Sequence, residues 1–191
     1  MTRFWWVRHG PTHQKSFTGW RDVPADLSDH AAIARLDAFL PAGALLISSD
    51  LSRAVATADA IGKGRKRLAH DADLREFHFG DWDGKGFDEV AASHPELSRI
   101  YWEQPGDAAP PGGESWNAAA ARIASAVARL SLDHPGRDII VVAHMGSILT
   151  QVQAARGIAA AEALSQPIDP LSVTRIDFEP RPILVQVNHR P

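Results

Sequence analysis

Phe4-Trp5-Trp6-Val7-Arg8-His9-Gly10 is the stretch on which this chain turns. Four apolar residues, three of them aromatic, make a short buried strand. A fixed cation, an imidazole and a glycine stand directly behind it. In an open parallel sheet, chemistry gathers beyond the carboxyl ends of the strands, so an Arg-His-Gly there is a candidate site. Alone it is a weak one, because the tripeptide turns up by chance and a lone histidine is more often a satisfied turn residue.

Three further segments change its weight. Ile139-Ile140-Val141-Val142-Ala143-His144-Met145-Gly146 is a second strand that runs into a histidine. Leu45-Leu46-Ile47-Ser48-Ser49-Asp50-Leu51-Ser52-Arg53 is a strand entering a helix whose start carries an arginine. Leu74-Arg75-Glu76-Phe77-His78-Phe79-Gly80-Asp81-Trp82 is an aromatic loop with a glutamate. Four segments of these types in this order resemble the histidine phosphatase superfamily, which includes phosphoglycerate mutases and many small phosphatases. The resemblance runs from residue 4 to about residue 150, and the set is specific where each piece is not. Gly112-Gly113-Glu114-Ser115 also matches a family motif; physically it is a tight turn into an N-capped helix, a structural role.

The chain has 191 residues, which suits one domain over 1–191 with a core of its own. A net charge of -3 argues against a nucleic-acid or anionic-membrane surface as the main partner. It leaves room for an anionic substrate, since a local cluster of arginines binds phosphate on an acidic protein. There is no cysteine, hence no disulfide framework and no thiol chemistry. No apolar run approaches membrane-spanning length, and only four apolar residues precede Arg8 at the start. A cytoplasmic protein is expected, with no membrane partner. Oligomeric state is open, a homodimer being one option.

Strands and helices alternate. Ser28 is the expected N-cap of a helix that ends at Pro41, Ala44 to Ser48 a strand, and Leu51 to Ile61 a helix closed by Gly62. Lys63-Gly64-Arg65-Lys66-Arg67 is a solvated basic loop before an edge strand. Short helices are expected over 87–92 and 96–102, a long one from Ser115 to about Leu132, and another over 147–156 stopped by Gly157. Val173 to Phe178 and Pro182 to Val187 complete a hairpin. The alternation predicts a layered α/β fold. The resemblance sharpens it to a three-layer α/β/α arrangement with a mostly parallel central sheet.

Phosphoryl transfer needs a nucleophile in line, cations on the other oxygens and a proton for the leaving alcohol. His9 can be the nucleophile, and Arg8 and Arg53 should keep it neutral while offering fork-shaped donors to phosphate. His144 can donate a hydrogen bond to a phosphoryl oxygen. Glu76 can be the general acid and then the base for water, with Asp81 and Asp83 close enough in sequence to compete. Thr12, Lys15, Trp20 and His78 are candidates for the rim of the pocket. The nine histidines show no His-x-His or His-Glu-x-x-His spacing, and neither a P-loop ending nor a Gly-x-Ser-x-Gly elbow occurs. Neither a metal nor any other cofactor is expected.

Within the resemblance, phosphatase outweighs mutase. The mutases follow the acid glutamate with an arginine and place a tyrosine two residues further on; here these are Phe77 and Phe79. The mutases' paired-arginine insertion before the Gly-Gly-Glu-Ser turn is replaced by Ile100-Tyr101-Trp102-Glu103-Gln104-Pro105. Phe17-Thr18-Gly19-Trp20 does resemble the mutases. The phosphate-assisting asparagine common in the preceding loop has no clear counterpart, Lys15 or Gln14 being nearest. The resulting mouth is apolar, suited to a small phosphorylated metabolite with a large organic part. Alpha-ribazole phosphatases are a close resemblance. A catalytically dead fold that binds phosphorylated ligands is the third option, and the joint presence of Arg8, His9, Arg53, Glu76 and His144 speaks against it.

Overall fold

Six strands, β1 (Thr2–Arg8), β2 (Leu45–Ser48), β3 (Lys66–Arg67), β4 (Asp138–Ala143), β5 (Val173–Phe178) and β6 (Pro182–His189), form one sheet in the order β3-β2-β4-β1-β5-β6. This is a computed structural model and it describes residues 1–191. β3, β2, β4 and β1 run parallel, while β5 and β6 are antiparallel additions at one edge.

The apolar runs of the parallel strands are buried on both faces, and their two-residue alternation decides the layering. Phe4 and Trp6, Leu45 and Ile47, and Ile139, Val141 and Ala143 join one core. Val7, Leu46, Ile140 and Val142 join another. The first core is covered by α5 (Trp116–Asp133), α6 (Met145–Arg156) and α7 (Ala160–Leu164), the second by α1 (His30–Phe39) and α2 (Ser52–Ala60). Each buried Val, Leu, Ile or Phe among them contributes roughly 1.5–3 kcal/mol. A smaller cluster of Phe17, Trp82, Val90 and Tyr101 joins the first loop to α3 (Phe87–Ser93) and α4 (Pro95–Glu103). The expected three-layer, mostly parallel architecture is the one observed.

Three local expectations are corrected. The N-cap of α1 is Asp29, whose Oδ1 accepts from the Ala32 N–H at 2.9 Å, because Ser28 is already held in a turn by Asp26. Arg65 is no solvated loop cation: its side chain is buried and bonds Asp37 and the carbonyls of Leu40, Pro41 and Ile61. Helix α6 begins at Met145, directly after His144, rather than at Ser147. No helix is long and apolar enough to cross a membrane.

Strand register places the site. Arg8 lies opposite Ala143 and Ser48 opposite Val142. The next residue on each strand, His9, His144 and Ser49, therefore emerges at the same carboxyl edge. There the ladder continues one step further, His9 N–H donating to Ala143 O at 3.1 Å and Ser49 N–H to Val142 O at 3.2 Å.

Candidate active site

His9 is almost wholly buried, and its Nδ1 lies 2.7 Å from the Gly10 carbonyl. A carbonyl only accepts, so Nδ1 carries the proton and Nε2 keeps its lone pair. The Gly10 N–H in turn donates to Thr57 Oγ1 at 3.0 Å, which fixes the turn that holds the ring. Burial first, then the Arg53 and Arg8 charges, push the His9 pKa down to about 3 against the Gly10 carbonyl, so the ring is neutral at physiological pH.

Arg53, in the first turn of α2, uses three of its five N–H groups on the protein. Nε donates to His144 Nδ1 at 3.3 Å, Nη1 to the Arg21 carbonyl at 3.0 Å and Nη2 to the Gly19 carbonyl at 2.6 Å. One hydrogen on each terminal nitrogen remains. Arg8 gives Nη1 to the Ile168 carbonyl, while its Nε is buried without a partner. Burial lowers the pKa of both arginines, partly offset by the Glu76 charge. An anion between them would relieve that penalty.

His144 is fully buried, its ring centroid 5.0 Å from that of His9. Accepting from Arg53 at Nδ1 makes Nε2 the protonated nitrogen, which donates to Ser49 Oγ at 2.7 Å. The buried Ser147 hydroxyl bridges the residue's own N–H and carbonyl, at 3.0 and 2.9 Å. Burial and the neighbouring His9, Arg53 and Arg8 hold the ring neutral. Both nitrogens are thus engaged, and in this arrangement His144 orients Arg53. Donation to a phosphoryl oxygen would require a proton taken up at Nδ1.

Glu76 leaves the loop after a single 3-10 turn (Ala72–Leu74) and is buried at the opposite wall. Its Oε1 accepts from the Phe77 N–H at 3.0 Å and its Oε2 from the Gly146 N–H, in the first turn of α6, at 3.1 Å. Gly146 is glycine for want of space: a Cβ there would sit 2.3 Å from Glu76 Oε1. Arg8, His9, Arg53 and Glu76 line one cavity of about 210 Å³.

The rim expectations divide. Thr12 and Gln14 are in the cavity wall; Lys15 is exposed and outside it. Trp20 and His78 pack on each other, centroids 4.4 Å apart, behind the Glu76 segment, where Trp20 Nε1 donates to the Glu76 carbonyl at 2.8 Å. Their place is structural because Trp20 fills the space beneath Arg75, whose guanidinium sits 4.8 Å over the ring. Asp81 is exposed and absent from the wall, and Asp83 caps the N–H groups of Gly19 and Arg21, which leaves Glu76 as the carboxylate in the wall with His9. Sequence reasoning missed Gly146, whose contact with Glu76 has no local signal. It also missed Arg122, on α5, which donates to the carbonyls of Asp73, Arg75 and Glu76 and pairs with Glu114.

The model of the histidine phosphatase superfamily (branch 1) matches residues 4–189. Glucosyl-3-phosphoglycerate phosphatase of Mycobacterium tuberculosis is 38% identical over 113 residues, covering 54% of this chain and 50% of that protein, so the match spans about half that relative's length. The 2,3-bisphosphoglycerate-dependent phosphoglycerate mutase of Brucella anthropi is 30% identical over 176 residues, 85% of each chain. Among solved structures, Bacillus stearothermophilus YhfR superposes with a TM-score of 0.90 at 27% identity, over 99% of this chain and 98% of that one. Mycobacterial glucosyl-3-phosphoglycerate phosphatase superposes with a TM-score of 0.85 at 28% identity, over 99% of both. With a strand-end His9 flanked by two arginines, a facing glutamate and a family match over nearly its whole length, this chain belongs to the histidine phosphatase superfamily, branch 1.

Proposed function

We propose that the protein hydrolyses a small phosphate monoester, without metal, through a phosphohistidine on His9. The observation that carries this reading is the His9 tautomer: Nδ1 is tied to the Gly10 carbonyl, and the free Nε2 belongs to a cavity shared with Arg8, Arg53 and Glu76. Nε2 attacks phosphorus as the bond to the leaving oxygen breaks, and Glu76 relays to that oxygen a proton brought in by the phosphate monoanion. The N–H groups that Arg8 and Arg53 do not spend on the protein are the donors offered to the phosphoryl oxygens, and His144 keeps Arg53 in place. Glu76, now ionised, takes a proton from water; the water oxygen bonds to phosphorus, the P–N bond breaks and phosphate leaves. Arg8 and Arg53, both in the wall with His9, are the groups that would stabilise the charge developing on the phosphoryl oxygens. The wall holds no cation beyond Arg8 and Arg53, which favours hydrolysis over a mutase that must also grip a carboxylate.

The test is phosphate release with EDTA present from p-nitrophenyl phosphate, 3-phosphoglycerate, fructose 2,6-bisphosphate and alpha-ribazole phosphate, alongside a coupled mutase assay. Release without mutase activity is expected. Phosphoglycerate interconversion far faster than hydrolysis would move the protein to the mutases, and loss of activity in EDTA that added metal restores would overturn the metal-free mechanism.

A further inference from the structure

A second, smaller hollow of about 40 Å³ opens beside the first. Glu76, Phe79, Trp102 and Met145 belong to both walls, so the two spaces adjoin at these four side chains. Beyond that partition the character changes. Trp116, Leu149 and Leu164 lead an almost wholly apolar lining, whereas the first cavity is rich in polar groups. The hollow exceeds the roughly 10–15 Å³ that admits one water, yet offers water almost no partners. The one polar group its wall leaves unsatisfied is the Tyr101 hydroxyl, which is buried and bonded to nothing in the protein. A poorly hydrated apolar hollow gains from the entry of an apolar group.

The chemistry above determines what can reach it. Glu76 must lie within hydrogen-bond distance of the leaving oxygen in order to protonate it. The first carbons of the alcohol then rest against Glu76, at the entrance to this hollow. We infer that the hollow is the leaving-group subsite, and that the substrate is a phosphate monoester whose alcohol carries a flat or branched apolar group next to the ester oxygen. The inference rests on the phosphatase reading. It disfavours phosphoglycerates and simple sugar phosphates, because a carboxylate or several hydroxyls lodged there would lose water and find at most the single Tyr101 hydroxyl in return.

The experiment compares kcat/KM for benzyl phosphate, ethyl phosphate and 3-phosphoglycerate in the wild type and in Leu164→Trp. Benzyl alcohol and ethanol have similar acidity, so the two alkyl esters differ mainly in what they bury. Benzyl phosphate is expected to exceed ethyl phosphate by about tenfold or more, from its extra apolar area. Leu164 is half-buried at the end of α7, and the larger ring placed there fills the hollow. The benzyl-to-ethyl ratio should then fall towards one. Equal rates for the two esters in the wild type, a preference for 3-phosphoglycerate, or a ratio unmoved by Leu164→Trp would overturn the subsite while leaving the phosphatase reading intact. Should that variant not fold, Pro105→Trp closes the hollow from another wall. No release from any of the esters would overturn the phosphatase reading, and the subsite with it.

Discussion

An imidazole attacks phosphorus only when one nitrogen is unprotonated, and at His9 that state traces to one backbone contact and to burial. The Gly10 carbonyl settles which nitrogen of His9 carries hydrogen, and burial beside two arginines keeps a second proton off. Glu76 is set by equally local means, one backbone N–H on each carboxylate oxygen. The tightest point is Gly146. In Gly146→Ala the new methyl would collide with Glu76 Oε1 and crowd the Phe77 ring at 3.0 Å, so the carboxylate must turn away. The expected result is a fall in kcat of about 100-fold on alkyl phosphates, within the range general acid catalysis supplies. The loss should be much smaller on p-nitrophenyl phosphate, whose leaving group needs no proton. Steady-state kinetics on the two ester classes check this, with circular dichroism to verify folding. An equal loss on both would mean that the methyl disturbs something other than the acid.

At the scale of elements, Glu76 is held by a helix that adds nothing to the wall around His9. Arg122 projects from α5 to three carbonyls of the segment 73–76 and makes a two-pronged pair with Glu114, at 2.8 and 2.7 Å. Glu114 in turn accepts the His78 N–H at 2.9 Å. Burial opposes the Glu114 charge, yet the Arg122 bond and the His78 N–H keep its pKa below the ordinary value. Arg122→Met would leave that carboxylate half-buried and unpaired. A loss of about 3 kcal/mol in urea unfolding is expected, together with the same selective loss on alkyl over p-nitrophenyl esters. A variant with unchanged stability and kinetics would contradict the brace. The brace also explains what was legible in the sequence. His9, His144 and Arg53 could be found because a strand followed by a charged or imidazole group is a local pattern, and parallel register then brings strand ends together. Arg122 could not, since in an alanine-rich helix it looks like any solvated cation, as the exposed Arg129 of the same helix is. Trp20 and His78 sit among plausible rim residues in sequence, but which side of the Glu76 segment they face is a matter of tertiary packing. Arg65 was misread for the same reason: three loop carbonyls and Asp37 converge on it only after α1 and α2 have docked.

Across the whole molecule, a two-sided sheet buries two imidazoles that must stay uncharged. Above about pH 6.5, the ordinary histidine value, folded and unfolded chains carry these rings in the same state. Below it the unfolded chain takes up protons that the folded one refuses, so stability present above that pH is lost as pH falls towards the folded His9 value of about 3. The slope attributable to each ring is up to about 1.4 kcal/mol per pH unit. Thermal unfolding stepped from about pH 7 to pH 4 should therefore show a shallower decline in a His9→Ala/His144→Ala double variant than in the wild type; parallel curves would mean that the rings are not the acid-sensitive groups. The same burial would supply the proposed reaction with a neutral imidazole, and the central claim is that His9 becomes phosphorylated. The most direct measurement is rapid quenching of the protein with a turned-over phosphate ester, followed by peptide mass spectrometry under alkaline conditions that preserve phosphohistidine. The expected result is an acid-labile phosphoryl group on the peptide containing His9, absent from a folded His9→Ala variant that no longer turns over. Turnover at an undiminished rate in His9→Ala, or phosphate release with no label on His9 at any quench time, would contradict the account.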